Sequence, residues 1–288
     1  MSDWTNPDDP MVTVAWLASR LGAPDIRVID ASAFMPGSER DARREYETGH
    51  IPCAVFFDIN EISDADTDLP HMMPSAEKFA SRARALGLGD GLRLVVYDSL
   101  GLFSAARVWW MFRHMGHDDV VVLDGGLPAW TGAGHALEDM PPIAKDRHFT
   151  VRRRADLIRD MDQIREKIDI GKAQIVDARA AGRFAGSAPE PRIGLPSGHM
   201  RGAYNVPFTD LLNDDKTLKD AKALGDIFRQ AGIDVSARIV TTCGSGVTAC
   251  IIALALARLG RWDVPVYDGA WAQWAGTPGN EIITETTQ

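Results

Sequence analysis

The chain contains the same pattern twice, and this internal repeat restricts its fold more than any other feature. Three pairs of segments match: "RVIDASAF" (27–34) with "QIVDARAA" (174–181), "GHIPCAVFFDI" (49–59) with "GHMRGAYNVPF" (198–208), and 92–130 with 237–274. Paired positions stay 144 to 149 residues apart, as with Asp30 and Asp177 at 147. Because this offset is nearly constant, the sequence predicts one structural module present twice.

The repeat also predicts the domain organisation and the fold class. The 288 residues provide enough chain for two domains, each with its own core. The matches place the first copy in residues 1–140 and the second in 156–288, joined by a polar, proline-bearing linker at 141–155. Within each copy, short β-branched runs alternate with helical patterns such as "AEKFASRARALGL" and "ALGDIFRQAGI". This alternation predicts an α/β fold in which each domain is a parallel sheet flanked by helices.

Composition excludes several classes of partner. The net charge of −9 argues against nucleic acid, which is held by basic patches. The longest apolar run, "ACIIALALA", is too short to span a bilayer, and the N-terminal segment lacks the basic start and apolar core of a signal peptide. Three cysteines without a CxxC spacing form neither a disulfide framework nor a zinc site. We therefore expect a cytoplasmic protein that binds neither nucleic acid nor membranes.

The segment "CGSGVTA" at 243–249 is the strongest candidate for chemistry. It lies between a strand-like run, "ARIV", and the apolar stretch "CIIALALARLG", and ligands of open parallel sheets bind beyond the carboxyl ends of the strands. The free N–H groups at the start of a helix favour an anion, and hence a thiolate at Cys243. Gly244 and Gly246 let the backbone curl around the sulfur, while Ser245 and Thr248 add hydroxyl donors. We predict a nucleophile at Cys243, with a buried core cysteine as the alternative.

The repeat provides an internal comparison for this loop. Aligning Gly101 with Gly246 places Asp98 opposite Cys243, within the segment "DSLGLFSA". An aspartate cannot perform thiol chemistry, so only the second copy is predicted to be catalytic. Cys250, embedded in "ACIIALALA", is predicted to be a buried core residue.

Two modules, a GH-x-x-x-A motif in both, a cysteine loop only in the second and a final "YDGAWAQW" resemble the tandem-domain rhodanese superfamily over nearly the whole chain. Within it, "CGSGVTA" is similar to the loop of 3-mercaptopyruvate sulfurtransferases, whereas thiosulfate-preferring members carry basic residues after the cysteine. The resemblance implies that Cys243 takes sulfur from 3-mercaptopyruvate as a persulfide and releases pyruvate. The acceptor would be a thiol or dithiol such as thioredoxin, or cyanide, with no metal or organic cofactor.

The resemblance also implies a substrate-binding site. The arginines of "GRF" and "PEPR", Arg183 and Arg192, would hold the substrate's carboxylate and carbonyl. A planar guanidinium can grip a carboxylate with two hydrogen bonds. From the residues alone, a surface or interdomain ion pair is the preferred role of both arginines. The loop residues assigned to substrate binding are Gly244, Gly246, Val247 and Thr248.

His71, in "DLPHMMPSAEKF", matches the histidine of a proposed Asp–His–Ser relay in this superfamily, with Ser245 as the serine. The aspartate position is occupied by Asn60. An amide can orient an imidazole but cannot compensate its charge, so we expect a weakened relay, with interface packing or capping as the alternative role of His71. Cys53 stands where the motif usually has glycine, and we expect it to be buried.

Alternative functions can be weighed on the same loop. Thiosulfate is a dianion whose sulfonate needs cations beside the attacked sulfur, and Gly244 and Ser245 supply none. A thiosulfate:cyanide sulfurtransferase is therefore second to a 3-mercaptopyruvate enzyme. A cysteine-dependent phosphatase or arsenate reductase needs a C-x5-R loop, and Ala249 stands at the arginine position. A non-catalytic binding module describes the first domain alone.

Overall fold

Short strands alternate with helices throughout residues 9–171 and 173–285, the parts of the chain that this computed structural model describes. The first half contains β1 (Met11–Val12), α1 (Val14–Ala18), β2 (Ile26–Asp30), α2 (Ala42–Thr48), β3 (Ala54–Phe56), α3 (Ile59–Ile62), α4 (Ala76–Ala85), β4 (Arg93–Tyr97), α5 (Ala105–His114), β5 (Val120–Leu123) and α6 (Gly126–Gly132). The second half contains β6 (Ile158–Arg159), α7 (Met161–Ile170), β7 (Gln174–Asp177), α8 (Ala181–Ala185), β8 (Tyr204–Asn205), α9 (Ala221–Gln230), β9 (Ile239–Thr242), α10 (Ala249–Arg258), β10 (Val266–Tyr267) and α11 (Ala270–Gly276).

The strands form two five-stranded parallel sheets with the same topology. Their orders are β1-β5-β4-β2-β3 and β6-β10-β9-β7-β8, so adding five to each label of the first sheet gives the second. Every strand pair is parallel. The repeated sequence therefore folds twice into the same sheet, which confirms the predicted α/β class with two homologous domains.

The two helices predicted from apolar spacing are confirmed as α4 and α9. The side chains of Ser75 and Asp220 cap their first turns by accepting backbone N–H bonds, which satisfies donors that a helix leaves free. Shortly after each helix comes a glycine, Gly87 or Gly232, with φ of 70° or 76°. Glycine is favoured in this left-handed conformation, so it ends both helices as predicted.

The histidines of the two GH motifs have a structural role. Nδ1 of His50 donates to the Tyr46 carbonyl at 2.7 Å, and Nδ1 of His199 donates to the Phe184 carbonyl at 2.9 Å. Each imidazole also stacks on the ring of that same residue, with ring centroids 4.0 Å apart. Because Tyr46 and Phe184 lie on α2 and α8, the motif fixes a helix against the strand that follows it.

The prediction that Cys53 is buried is wrong. Its side chain is exposed, and its backbone has φ of 64°, in the left-handed region that favours glycine. The backbone N–H of Cys53 donates to Glu138 Oε1 at 2.5 Å. The glycine usual at this position is therefore explained by the backbone conformation and not by lack of space.

Helices α5 and α10 form the centre of the molecule by packing against each other. All ten residues of α5 are buried, as are residues 249–257 of α10. A helix that is apolar on all sides is a core helix, which accounts for "ACIIALALA". Among the described residues, no helix has the length and apolarity needed to cross a membrane. Since each of these helices follows the loop of its own domain, their contact brings both loops to the domain junction.

Part of the predicted linker is docked on the first domain. Phe149 is 4% exposed and packs against Phe79 and Phe112, with ring centroids 5.5 and 5.9 Å apart. Arg152 and Arg154 donate backbone N–H bonds to carbonyls at the end of α5. The connection between the domains is thus held along much of its path.

Candidate active site

Cys243 directly follows β9, and α10 begins at Ala249. The cysteine lines a cavity of about 180 Å³ between the two domains. The cavity walls are largely apolar and include Phe34, Met35 and Phe103 from the first domain. Of the residues predicted from the sequence, those that line it are His71, Arg183, Arg192, Cys243, Gly244, Ser245, Val247 and Thr248.

Gly246 is not among the residues lining this cavity. It has φ of 77°, and a Cβ atom there would lie 3.1 Å from Nη1 of Arg107 and 3.1 Å from the Asp268 carbonyl oxygen. These groups lie on the side of the loop away from the substrate space. Gly246 therefore shapes the loop and allows the close approach of Arg107 and of the Asp268 carbonyl.

Gly244 has a different reason to be glycine. A Cβ atom at this position would lie 2.8 Å from Nη2 of Arg183, so the guanidinium rests against the bare backbone next to Cys243. A basic side chain at position 244 would meet a positive charge already in place. The neutral loop and the predicted arginine site are thus two parts of one arrangement.

Arg183 belongs to a buried charge cluster. Its Nε and Nη2 donate to Oε2 of Glu190 at 3.2 and 2.5 Å. Arg179 donates to Oε1 of the same carboxylate at 2.7 Å and also pairs with Asp177 at 2.7 Å. The side chain of Glu190 is 2% exposed. Its role was not predicted from the sequence, although Glu190 lies within the "PEPR" motif. A carboxylate between two arginines of a motif was the available signal.

Arg192 differs from its neighbours because its guanidinium makes no ion pair or hydrogen bond within residues 9–171 and 173–285. Burial lowers the pKa of Arg192, while the negative charge of the Cys243 thiolate acts in the opposite direction. The three arginines 179, 183 and 192 face two carboxylates, Asp177 and Glu190, which leaves one positive charge uncompensated. That charge faces the cavity that holds Cys243.

The structure brings the three relay residues together across the domain junction. Nδ1 of His71 lies 3.1 Å from Ser245 Oγ, and Nε2 lies 3.1 Å from Asn60 Oδ1. Because an amide oxygen only accepts, Nε2 carries the proton and donates to Asn60. Nδ1 is then the acceptor for the Ser245 hydroxyl. Asn60 thus orients the imidazole as an acceptor for serine, which is the geometry that a relay needs.

The surroundings keep His71 uncharged. Burial, together with the positive charges of Arg107 and Arg192, lowers its pKa to about 4. An imidazole with this pKa is neutral across the physiological range. A neutral histidine needs no anionic partner, so asparagine at position 60 is compatible with the charge state of the site.

In a pH profile of kcat/KM, Asn60→Asp is therefore expected to shift the loss of activity at acid pH to a higher pH. A carboxylate at 3.1 Å from Nε2 favours the imidazolium and raises the pKa of His71 from about 4. Protonated Nδ1 cannot accept from Ser245, so kcat/KM of the variant should fall between pH 7 and pH 5 while that of the wild type stays level. NMR titration of His71 and a pH profile check this result. An unshifted acid limb despite a raised His71 pKa would remove His71 from the chemistry.

Cys250 confirms the interpretation of a buried core cysteine. It is fully buried, and its S–H donates to the Gly246 carbonyl at 3.3 Å. Burial raises the pKa of Cys250 to about 12. This thiol therefore stays protonated and is a poor nucleophile.

Sequence reasoning missed the two charged residues that lie behind the cysteine loop. Arg107 of the first domain and Asp268 of the second form an ion pair at 2.7 Å, with side chains 0% and 5% exposed. Asp268 lies within the "YDGAWAQW" motif, but its partner Arg107 is 161 residues away in the chain. Neither composition nor periodicity connects residues so far apart.

Comparison with known proteins agrees with this geometry. The profile of the family described as Rhodanese-like domain matches residues 13–133 and again 160–277. Thiosulfate/3-mercaptopyruvate sulfurtransferase 2 of Arabidopsis thaliana is 44% identical, over 96% of this chain and 87% of its own length. 3-mercaptopyruvate sulfurtransferase of Homo sapiens is 42% identical, over 92% and 91%. The crystal structure of SseA from Escherichia coli, a 3-mercaptopyruvate sulfotransferase with the rhodanese fold, superposes with a TM-score of 0.84 at 40% identity and covers 91% of this chain and 99% of that one.

Proposed function

This chain belongs to the rhodanese family, and from that premise we propose that it is a 3-mercaptopyruvate sulfurtransferase with Cys243 as its nucleophile. The observation that carries the choice of substrate is the Arg192 guanidinium in the cavity of Cys243, which has no partner in the part of the chain that the structure describes. One uncompensated positive charge suits a donor with one carboxylate, and burying that carboxylate unpaired would be costly. We assign the neighbouring carbonyl to Arg183, and its position beside Gly244 supports this assignment.

The first half-reaction forms a persulfide on Cys243. The thiolate attacks the sulfur of 3-mercaptopyruvate, the new S–S bond forms, and the C–S bond breaks with its electron pair passing into the enolate of pyruvate. The enolate carbon then takes up a proton, equivalent to the one released by the donor's thiol, and gives pyruvate. Ser245 can accept the proton of the donor's thiol while passing its own to Nδ1 of His71, since that nitrogen is the acceptor of the pair.

The first domain indicates how the second would hold the persulfide. Oδ2 of Asp98 accepts backbone N–H bonds from Phe103, Ser104 and Ala105 at 2.7, 2.9 and 2.8 Å, and Oδ1 accepts from Leu100 at 2.9 Å. The outer sulfur of a persulfide lies one bond beyond Sγ, as Oδ2 lies one bond beyond Cγ. The equivalent residues of the second repeat are Ser245, Thr248, Ala249 and Cys250. We infer that the N–H groups of Ser245, Thr248 and Ala249 stabilise the sulfane sulfur in the same way, whereas the N–H of Cys250 donates to the Val247 carbonyl at 3.2 Å.

In the second half-reaction an acceptor removes the outer sulfur. A thiolate attacks it, the S–S bond breaks, and Cys243 leaves as the thiolate, so the enzyme returns to its starting state. We propose a thiol or dithiol such as thioredoxin as the acceptor, with cyanide as a substitute that yields thiocyanate. Cys243 is only 1% exposed, so an acceptor must bring its attacking atom into the cavity.

The test of this function is a donor comparison. Pyruvate release from 3-mercaptopyruvate with a dithiol present, and thiocyanate formation from thiosulfate with cyanide, are measured on one preparation. The proposal expects the larger kcat/KM for 3-mercaptopyruvate. A larger value for thiosulfate would favour the second candidate function, which the name of the Arabidopsis thaliana relative also includes.

The loop itself is expected to set the donor preference. In a Gly244→Arg/Ser245→Lys variant, new cations beside the sulfur would attract the sulfonate of thiosulfate. The side chain at 244 would also displace Arg183, and loss of Ser245 would remove the hydrogen bond to His71. The ratio of kcat/KM for thiosulfate to that for 3-mercaptopyruvate should therefore rise. Ser245→Ala alone is the control, and equal losses on both donors would mean that the loop governs reactivity and not choice.

We also propose the limits of the two domains and the cellular compartment of the protein. We propose a first domain over 1–140, a linker at 141–155 and a catalytic domain over 156–288; the two matched segments, 13–133 and 160–277, fall inside these domain limits. All three cysteines are unpaired, which favours a reducing compartment such as the cytoplasm.

A further inference from the structure

In each domain, the segment that precedes helix α4 or α9 extends over the loop of the other domain, and we call this segment the arm of its domain. His71 is on the arm of the first domain, and Lys216 holds the equivalent position on the arm of the second, 145 residues later. The two loop glycines, Gly101 and Gly246, are separated by the same 145 residues. His71 lies beside the loop of Gly246, and Lys216 lies beside Gly101. Both arm residues have positive φ, 59° and 69°, although neither is glycine.

The two arms are fixed by equivalent carboxylates. The backbone N–H of Met73 donates to Asp268 Oδ2 at 2.7 Å, and that of Leu218 donates to Asp124 Oδ1 at 2.8 Å. Asp268 and Asp124 are themselves equivalent in the repeat, 144 residues apart. The arm beside the cysteine loop and the arm beside the Gly101 loop are therefore held by equivalent hydrogen bonds. We call the first arrangement the active half of the molecule and the second the silent half.

The arginine that contacts both the arm and its carboxylate lies at a different position in the two halves. In the active half, Arg107 donates to Asp268 Oδ1 at 2.7 Å, to the His71 carbonyl at 2.5 Å and to the Gly246 carbonyl at 3.3 Å. One buried guanidinium thus joins the arm, the loop and the second domain. It holds the carbonyl of the very residue whose backbone is strained.

In the silent half, Arg258 has the corresponding function from a different position on its helix. It lies 3.6 Å from Asp124 and donates to the carbonyls of Leu218 and Lys219 at 3.0 and 3.1 Å. The same kind of contact therefore occurs where no chemistry takes place. Arg258 is a matched control for Arg107.

A residue other than glycine keeps a left-handed conformation only when its surroundings enforce it, and such residues cluster at functional sites. The His71 ring must lie within hydrogen-bond reach of Ser245 in the other domain. We propose that Arg107 is a positioning residue that acts by holding His71 against Ser245. This inference rests on the proposed function, because His71 and Ser245 matter only if the chain performs that reaction.

The test compares Arg107→Met with Arg258→Met in the full-length protein. A displacement of about 1 Å in a catalytic group can cost about 100-fold in rate, so kcat of Arg107→Met for 3-mercaptopyruvate should fall roughly 10- to 100-fold. Its KM should change less than about twofold, because Arg192 and Arg183 still bind the carboxylate and the carbonyl of the substrate. Arg258→Met should change kcat by less than about twofold, even if its Tm falls as far as that of Arg107→Met.

A double-mutant cycle tests whether Arg107 acts through His71. In a His71→Ala background, Arg107→Met should lower kcat by less than about threefold further, since the residue that it positions is absent. Asp268→Asn and Asp124→Asn form a second matched pair, which decides the question if Arg107→Met does not fold. Asp268→Asn should lower kcat selectively, because its single amide oxygen cannot accept from both the Met73 N–H and Arg107.

Several results would overturn the inference. These are equal losses in Arg107→Met and Arg258→Met, the full loss of Arg107→Met persisting without His71, or a His71→Ala variant with unchanged kcat. A wild-type protein that does not turn over 3-mercaptopyruvate would instead contradict the proposed function, and the two failures are thereby distinguished.

Discussion

Cys243→Ser is expected to lower sulfur transfer by more than roughly 1000-fold, because a serine hydroxyl cannot form the persulfide and loss of a nucleophile removes the covalent route. Cys243 alone among the three cysteines lies at a strand-to-helix turn that opens into a cavity. Pyruvate release from 3-mercaptopyruvate measures the loss. Mass spectrometry of the donor-treated wild type should show one added sulfur on the peptide that contains Cys243.

The other cysteines provide matched controls. Cys250→Ser keeps a donor to the Gly246 carbonyl and should retain most activity, because burial holds the Cys250 thiol protonated with a pKa of about 12. Cys53→Ser changes an exposed side chain near Glu138 and should also retain most activity. An adduct on Cys250, or an active Cys243→Ser variant, would contradict the assignment of the nucleophile.

Arg192→Ala is expected to lower kcat/KM for 3-mercaptopyruvate by roughly 10- to 100-fold, since a hydrogen bond to a charged group contributes about 1.5–3 kcal/mol. Arg192 is the cavity arginine without a partner among the described residues, whereas the charge of Arg183 is already paired with Glu190. Arg192→Lys should recover only part of the loss, because an ammonium keeps the charge but not the planar fork. Steady-state kinetics on both donors measure the effect.

Arg183→Ala should cause a loss of similar size for a related reason. It removes one positive charge and leaves Oε2 of Glu190 facing the substrate carboxylate. Adding Glu190→Gln to Arg183→Ala restores the charge balance of the cluster and should recover part of the binding. Thiosulfate turnover, which involves no carboxylate, should fall much less in each variant. Equal losses on the two donors would mean that these arginines support the fold or the thiolate.

The sequence alone predicted the architecture, which the structure confirms, and the nucleophile, which stays a prediction. The constant offset of the repeat predicted two sheets of one topology, because equal patterns of apolar and polar residues bury equal faces. The position of Cys243 between an apolar strand and an apolar helix indicated a loop at the carboxyl edge of a sheet. Asp98 at the equivalent position predicts which half lacks a nucleophile, since this comparison needs only the chemistry of two side chains. All of this information can be read from the sequence without knowing which residues touch in the fold.

The tertiary structure alone decided how the site is assembled. His71 and Ser245 are 174 residues apart, and Arg107 and Asp268 are 161 apart. They meet because α5 and α10 pack together at the domain junction. The partner of each side chain depends on that packing and not on the spacing of apolar residues, which reports only the buried face of one element. The neutral state of His71 has the same origin, because burial and two arginines that converge from different domains lower its pKa.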